Sequence, residues 1–410
     1  MRLHWPVVLG AFSGLIFSVG TLVVYTFSVF TPALAAEFGW NPLQIATALG
    51  LFNLGVVIAS PLAGRLVDLH GGRRVVLVST GLFGVGFAAL ALVPDNLPVL
   101  YAMFVALAVI GSGTTPAAYA SVIVGWFDRN RGLALGLAMA GAGVGGAVLP
   151  SVIHAVIATL GWRSAYALLG ASVIAIGLPV LGLLLRSPPR RQSFVAAHGE
   201  SGAGAIRGAL RQRSGWTIAL FAFLAGVMLI GVLAHFVPVL VSKGFTEQRA
   251  AHFQMIFGLS VIAGRGGVGA LLDRFFAPRV VLVVFGIASL GLVLLSGLGG
   301  AAGVALAAAA LGLALGAEID VLGYLISRYF APAVFGTIYG AAFSLFTLGA
   351  AVGTVANGAI ATRFGYAYVG VGMAAVGALV CLVTMLMPPY AVRATPGAVM
   401  DPNERNLCPR

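Results

Sequence analysis

Phe253-Gln-Met-Ile-Phe-Gly-Leu-Ser-Val-Ile-Ala-Gly-Arg265-Gly-Gly-Val-Gly-Ala-Leu-Leu-Asp273-Arg274 is apolar enough to enter a membrane, yet it holds an arginine in its middle. Arg265 lies eight residues before Asp273, where charge resumes. At a helical rise of about 1.5 Å per residue this puts it roughly 12 Å inside the polar end. The hydrocarbon core is about 30 Å thick, so the guanidinium belongs near its centre. A charge there is costly, and such residues face a cavity or a partner helix rather than lipid. The planar fork of arginine matches a carboxylate. Two readings follow: an anion site for a substrate, or a structural ion pair between helices.

Composition extends the membrane reading to the whole chain. Of 410 residues, 60% are hydrophobic and 8% are charged, against about 25% charged in soluble domains. An all-α membrane protein with many crossings is expected, because helices satisfy their own backbone in lipid. The net charge of +12 does not point to nucleic acid, since the arginines are spread over alternate loops rather than one element. Cys381 and Cys408 are the two cysteines, too few for a disulfide framework or a metal cluster. No cofactor is expected. Arg2, a long apolar run and Ala33-Leu-Ala35 imitate a signal peptide, but the run of about 25 residues is too long for one and reads as the first membrane helix. Gly141-Ala-Gly143-Val-Gly145-Gly146 fits a dinucleotide fingerprint in letters only. It lies within a membrane span, where small residues let helices pack closely.

Apolar runs long enough to span a bilayer fall at roughly 6–30, 43–67, 74–93, 98–124, 132–159 and 164–185, and again at roughly 215–240, 250–272, 279–299, 301–327, 334–361 and 365–387. Twelve transmembrane helices are therefore expected, in two bundles of six. The expected division is an N-terminal bundle at 1–186, a linker at 187–214, a C-terminal bundle at 215–388 and a tail at 389–410. With the N-terminus in the cytosol, eighteen arginines fall inside and only Arg163, Lys243, Arg249 and Arg363 outside. This bias puts both termini and the linker on the cytosolic side of the plasma membrane. Ile206 and Leu210 among Arg207, Arg211 and Arg213 read as a short helix lying on the membrane surface, or as a solvated linker.

The two halves repeat. Gly64-Arg-Leu-Val-Asp68 recurs 205 residues later as Gly269-Ala-Leu-Leu-Asp273, and the run from Gly132 to Gly161-Trp162 recurs 204 residues later from Gly336 to Gly365-Tyr366. Parallel repeats of this kind place a substrate between the halves near the midplane. Gly64-Arg-Leu-Val-Asp68-Leu-His-Gly71-Gly-Arg73-Arg74 resembles the loop motif of the major facilitator superfamily, between helices two and three as in that family, with Leu69 and Gly72 where basic residues are usual. Tyr25-Thr-Phe-Ser-Val-Phe, Glu37-Phe-Gly-Trp40, Trp126-Phe-Asp-Arg-Asn-Arg131-Gly-Leu-Ala-Leu-Gly136 and Gly264-Arg265 with Gly269–Arg274 are similar to the bacterial monocarboxylate and oxalate:formate branch. The eleventh helix lacks the lysine of the oxalate:formate antiporters. Val261 stands where animal monocarboxylate carriers have an acid, which weighs against exchange of a small dianion.

The resemblance implies the major facilitator fold, and a gating role for Gly64, Asp68, Gly71, Arg73 and Arg74 with their second-half counterparts Asp273 and Arg274. It also implies that the first, fourth, seventh and tenth helices line the cavity. Ser18, Thr21, Tyr25 and Ser28 share one helical face, as do Ser112, Thr115 and Tyr119. Tyr25 and Tyr119 are therefore expected to hydrogen-bond a substrate carboxylate held by Arg265, or alternatively to bond between helices. His235 is a candidate substrate or proton group. Glu318 and Asp320 sit roughly 15 and 12 Å deep, counted back from Arg328. The repeat offset aims Asp320 at the cavity as the proton-coupling group, with Glu318 in reserve. The expected function is transport of a small organic anion, a monocarboxylate, with protons, by a monomer with no enzymatic activity. The alternative is a proton-coupled efflux pump for neutral or cationic compounds.

Overall fold

The computed structural model describes residues 5–127, 130–187, 202–298 and 300–390. These form helices and short connections, with no strand among them. Eleven helical stretches are long and apolar enough to cross a membrane. They are α1 (Trp5–Phe38), α2 (Leu43–His70), α3 (Gly72–Leu92), α4 (Leu97–Trp126), the stretch Arg131–Leu184, α7 (Arg213–Ser242), α8 (Gln248–Arg274), α9 (Ala277–Ser296), α10 (Gly300–Tyr329), α11 (Pro332–Phe364) and α12 (Ala367–Met385). Arg131–Leu184 runs 54 residues, about twice what a crossing needs. It breaks at Gly161, whose φ of 80° and ψ of 164° are non-helical, giving α5 (131–160) and α6 (162–184). The chain therefore crosses twelve times. Gly365, the repeat partner of Gly161, has φ 89° and separates α11 from α12 in the same way. Only glycine takes this backbone without strain, so the internal repeat extends to the turn itself.

Two of the helices expected to line the cavity are interrupted. α1 carries a π-helical turn at Gly20–Val24, which inserts an extra residue and shifts everything after it around the axis. Ser18 and Thr21 are buried and both donate to the Leu15 carbonyl, at 2.9 and 2.7 Å, while Tyr25 is 49% exposed. The expected single face through Ser18, Thr21, Tyr25 and Ser28 is thus split. α4 stops at Gly111, tightens through Ser112–Thr114 and restarts at Pro116. Pro116 forces Thr115 into an extended conformation, as the residue before a proline prefers. Ser112, Thr115 and Tyr119 therefore do not form one continuous stripe either.

Between the halves a short helix, Gly202–Arg211, leads directly into α7. It buries Ala205 and Ala209, sets Ile206 and Leu210 against Ile218 and Ile338, and leaves Arg207 and Arg211 exposed. A helix is thus present here, packed on α7 and α11. Arg190 and Arg191 of the linker, and the tail beyond 390 with Cys408, lie outside the described residues.

Candidate functional site

The end of the bundle that carries the α2–α3 and α8–α9 connections, here the loop end, is shut by two matching clasps. Asp68 at the end of α2 accepts from the Gly336 and Thr337 N–H groups, both at 2.8 Å, and from the Thr337 hydroxyl at 2.6 Å. Asp273 at the end of α8 accepts from the Gly132 and Leu133 N–H groups at 2.8 and 3.0 Å. Each carboxylate thus satisfies otherwise unpaired donors at the first turn of a helix in the opposite half, where the dipole also favours an anion. Arg131 adds a bond from Nη1 to Ser327 Oγ at 3.1 Å. Arg73 is used within the first half, donating to the Leu185 and Gly182 carbonyls at 2.6 and 3.0 Å.

Glycines let the backbones touch behind the clasps. A Cβ on Gly64 would stand 2.0 Å from the Gly336 carbonyl oxygen, one on Gly132 2.2 Å from that of Gly269, and one on Gly136 2.0 Å from that of Arg265. The seam runs as far as Ser344, whose hydroxyl donates to the Val57 carbonyl at 2.6 Å. Two turns further along the same faces the contact is gone. Ideal Cβ atoms on Gly143 of α5, Gly258 of α8 and Gly50 of α2 meet nothing within 4 Å, and Ala351 of α11 is exposed. The halves are joined at the loop end and parted at the far end. There, among the described residues, the polar bonds stay within a half: Glu37 accepts from Trp162 and Arg163, and Trp40 donates to Asp95 at 3.0 Å.

Asp68→Asn keeps the shape but turns an NH2 toward N–H donors. Losing charge-assisted bonds of this kind costs about 2 kcal/mol, roughly a thirtyfold shift toward opening of the loop end. Asp273→Asn is expected to do the same, and the double variant to add. Pulsed spin-label distances across the loop end test this. Unchanged distance distributions in all three variants would sink it.

Arg265 lies where the seam ends and the opening begins. It is 8% exposed, yet its Nε and Nη1 have no hydrogen-bond partner. Beside it on α10 are Asp320, 1% exposed, and Glu318, 4% exposed. Both carboxyl groups are close enough to Arg265 for charge–charge interaction. Neither oxygen of Asp320 has a hydrogen-bond partner, and Oδ2 lies 3.5 Å from where a Cβ on Gly136 would stand. Asp320 is therefore at the contact between the halves. Tyr339 of α11, fully buried, donates to the Ile319 carbonyl at 3.0 Å between the two acids and feels the charge of both. Buried polar atoms are nearly always paired. A guanidinium and a carboxylate left side by side without mutual bonds leave capacity for a third group carrying charge or donors of its own.

The other expected site residues are not brought to Arg265. Tyr119 is fully buried within the first half, its hydroxyl set against Gly14 and near Thr80. The break in α4 turns it inward, away from the opening. Tyr25 lies toward the far end with its ring on Gly146 of α5. His235 points its Nδ1 at the Gly231 carbonyl, 3.1 Å away, and its Nε2 toward Gly358 of α11. Beside it Asn357 is fully buried with neither amide atom bonded. Sequence reasoning passed over Tyr339 and Asn357. Asn357 carried a signal, a lone amide in a helix of small and apolar residues. Tyr339 carried none, being near a helix end where tyrosines commonly sit.

A family model described as Major Facilitator Superfamily matches residues 11–354. The chain is 27% identical over 339 residues to the uncharacterized MFS-type transporter YhjX of Escherichia coli (strain K12), covering 81% of this chain and 82% of that one. It is 30% identical over 268 residues to monocarboxylate transporter 11 of Homo sapiens, covering 62% of this chain and 54% of that one. In fold it is similar to FucP, a transporter solved in the outward conformation, with a TM-score of 0.74 at 16% identity over 93% of this chain and 98% of that one.

Proposed function

The chain belongs to the major facilitator superfamily, and from that premise we propose that it carries a small organic anion, a monocarboxylate, together with a proton. It is a multi-pass secondary transporter and not an enzyme. The observation that carries the finer reading is Arg265: a buried guanidinium with two unbonded nitrogens at the floor of an opening between the halves. A carboxylate is the group whose geometry fits that fork. The likeness to monocarboxylate transporter 11 supports the same substrate class.

Residues 1–186 and 215–388 act as the two moving bundles, joined by 187–214 and followed by a tail at 389–410. The arginine bias sets the loop end and both termini in the cytosol of the plasma membrane, so the described state opens outward. The chain works as a monomer, since each bundle pair encloses its own site. Buried next to Arg265, Asp320 couples the proton, with Glu318 as its neighbour.

Uptake into proteoliposomes tests this. Labelled lactate or acetate should accumulate under an inward proton gradient and exchange without one. Tetraphenylphosphonium, a lipophilic cation, should not be moved. Proton-driven movement of the cation with none of the acids would favour the drug-efflux reading, for which the two buried acids are the supporting feature.

A further inference from the structure

Arg73 and Arg74 are adjacent, but only Arg73 is used by the fold, bonding carbonyls at the end of α6. Arg74 is exposed, and no described residue bonds to it. It stands with His70 at the mouth of a cleft of about 410 Å³ between α2, α3 and α4, within the size range of small-molecule sites. The break in α4 closes its inner end. Where Ser112–Thr114 tighten and Thr115 turns out of the helix, Ser112 and Gly113 line the cleft, and a Cβ on Gly113 would stand 2.3 Å from Ser79 Oγ of α3.

The shape is that of a slot running into the membrane. From Arg74 to Leu82 along α3 is about 12 Å of helical rise, and the walls over that length are apolar apart from Ser79 and Ser112. Leu66, Val78, Leu82 and Val109 are 47%, 62%, 53% and 54% exposed, so the slot opens sideways toward lipid rather than into the opening between the halves. A free cation at the polar rim with an apolar channel beneath it matches one occupant: a phospholipid whose phosphate meets Arg74 and whose acyl chain lies along Leu82 and Val109. Basic pockets between membrane helices recognise anionic headgroups, and the surrounding positive charge adds to the attraction.

We propose that the α2–α3–α4 cleft is a binding site for one anionic phospholipid, held at its headgroup by Arg74 with His70 and at its chain by the apolar channel. Native mass spectrometry of the purified full chain, stripped of lipid and titrated with phosphatidylglycerol or chain-matched phosphatidylcholine, tests it. One phosphatidylglycerol should be retained over phosphatidylcholine by about fivefold, the worth of one arginine near a headgroup. Arg74→Ala should remove that preference. Leu82→Trp fills the channel at a lipid-exposed position without changing charge, and should lower retention of both lipids. Arg211→Ala removes an equal charge from the linker helix and should change nothing. Equal retention of the two lipids by the native chain, or an Arg74→Ala variant that keeps the preference, overturns the site. An Arg211→Ala variant that loses as much also overturns it, as does complete displacement by soluble glycerol phosphate, which would mark a free-anion site.

Discussion

Arg265→Ala should weaken the apparent affinity for a monocarboxylate by more than a hundredfold. Removing one partner of a buried, hydrogen-bonded charge pair costs about 3 kcal/mol or more, and among the described residues Arg265 is the cation acting on Glu318 and Asp320. Arg265→Lys keeps the charge but not the planar fork. It also shortens the reach of the donors, so an ammonium would have to leave solvent alone in an apolar wall. A loss of at least about tenfold is expected from the lysine variant, most of it in substrate affinity. Counterflow into proteoliposomes, measured across a range of substrate concentrations, separates affinity from turnover. Native affinity in the alanine variant would move the anion site elsewhere. Native affinity in the lysine variant alone would show that charge, and not the fork, is what the substrate meets.

Much of this fold is legible in residues, and the limits are physical. Twelve crossings follow from run length because the bilayer demands an apolar stretch of a set span. Gly161 and Gly365 announce the connections of equivalent helices because a positive φ with ψ near 160° is glycine's conformation. The clasps were legible as acids at helix ends repeated 205 residues apart. Their partners are set by the fold, which brings the N–H groups of Gly132, Leu133, Gly336 and Thr337 to them across the halves. What stayed hidden were changes of helical phase. Counting by threes and fours assumes one unbroken helix, and the π turn at Gly20–Val24 and the break at Ser112–Thr114 both void that count. Tyr25 and Tyr119 were placed by such counting, and the structure sets them apart from Arg265.

Glu318 and Asp320 show the same limit in a different form. Two residues apart on a helix, they point to different faces, which suggested that only one could matter to the cavity. Charge acts over distance in a medium of low polarity, and both carboxyl groups lie within the field of Arg265. Direction therefore does not separate them, but contact does. Asp320 sets its Oδ2 3.5 Å from where a Cβ on Gly136 of the opposite half would stand, so its surroundings change whenever the halves part.

Asp320→Asn should accordingly uncouple transport from protons while leaving exchange intact. In the empty site the Arg265 charge favours an ionised neighbour, and an unpaired buried arginine would be costly without one. An arriving substrate carboxylate competes for the same guanidinium. Once it binds, Asp320 loses that support while remaining desolvated, and both effects favour its taking up a proton. On the proposed mechanism anion and proton load together and the filled site carries the same net charge as the empty one, so the cycle should move no charge across the membrane. The asparagine variant is fixed in the neutral form. It should show counterflow near the native rate but no acceleration by an inward proton gradient, and accumulation should fall to the equilibrium level. Glu318→Gln should retain most of the acceleration. If the glutamine variant loses it and the asparagine variant keeps it, the two acids exchange roles. If both keep it, coupling lies away from Arg265, and His235 is the next group to replace.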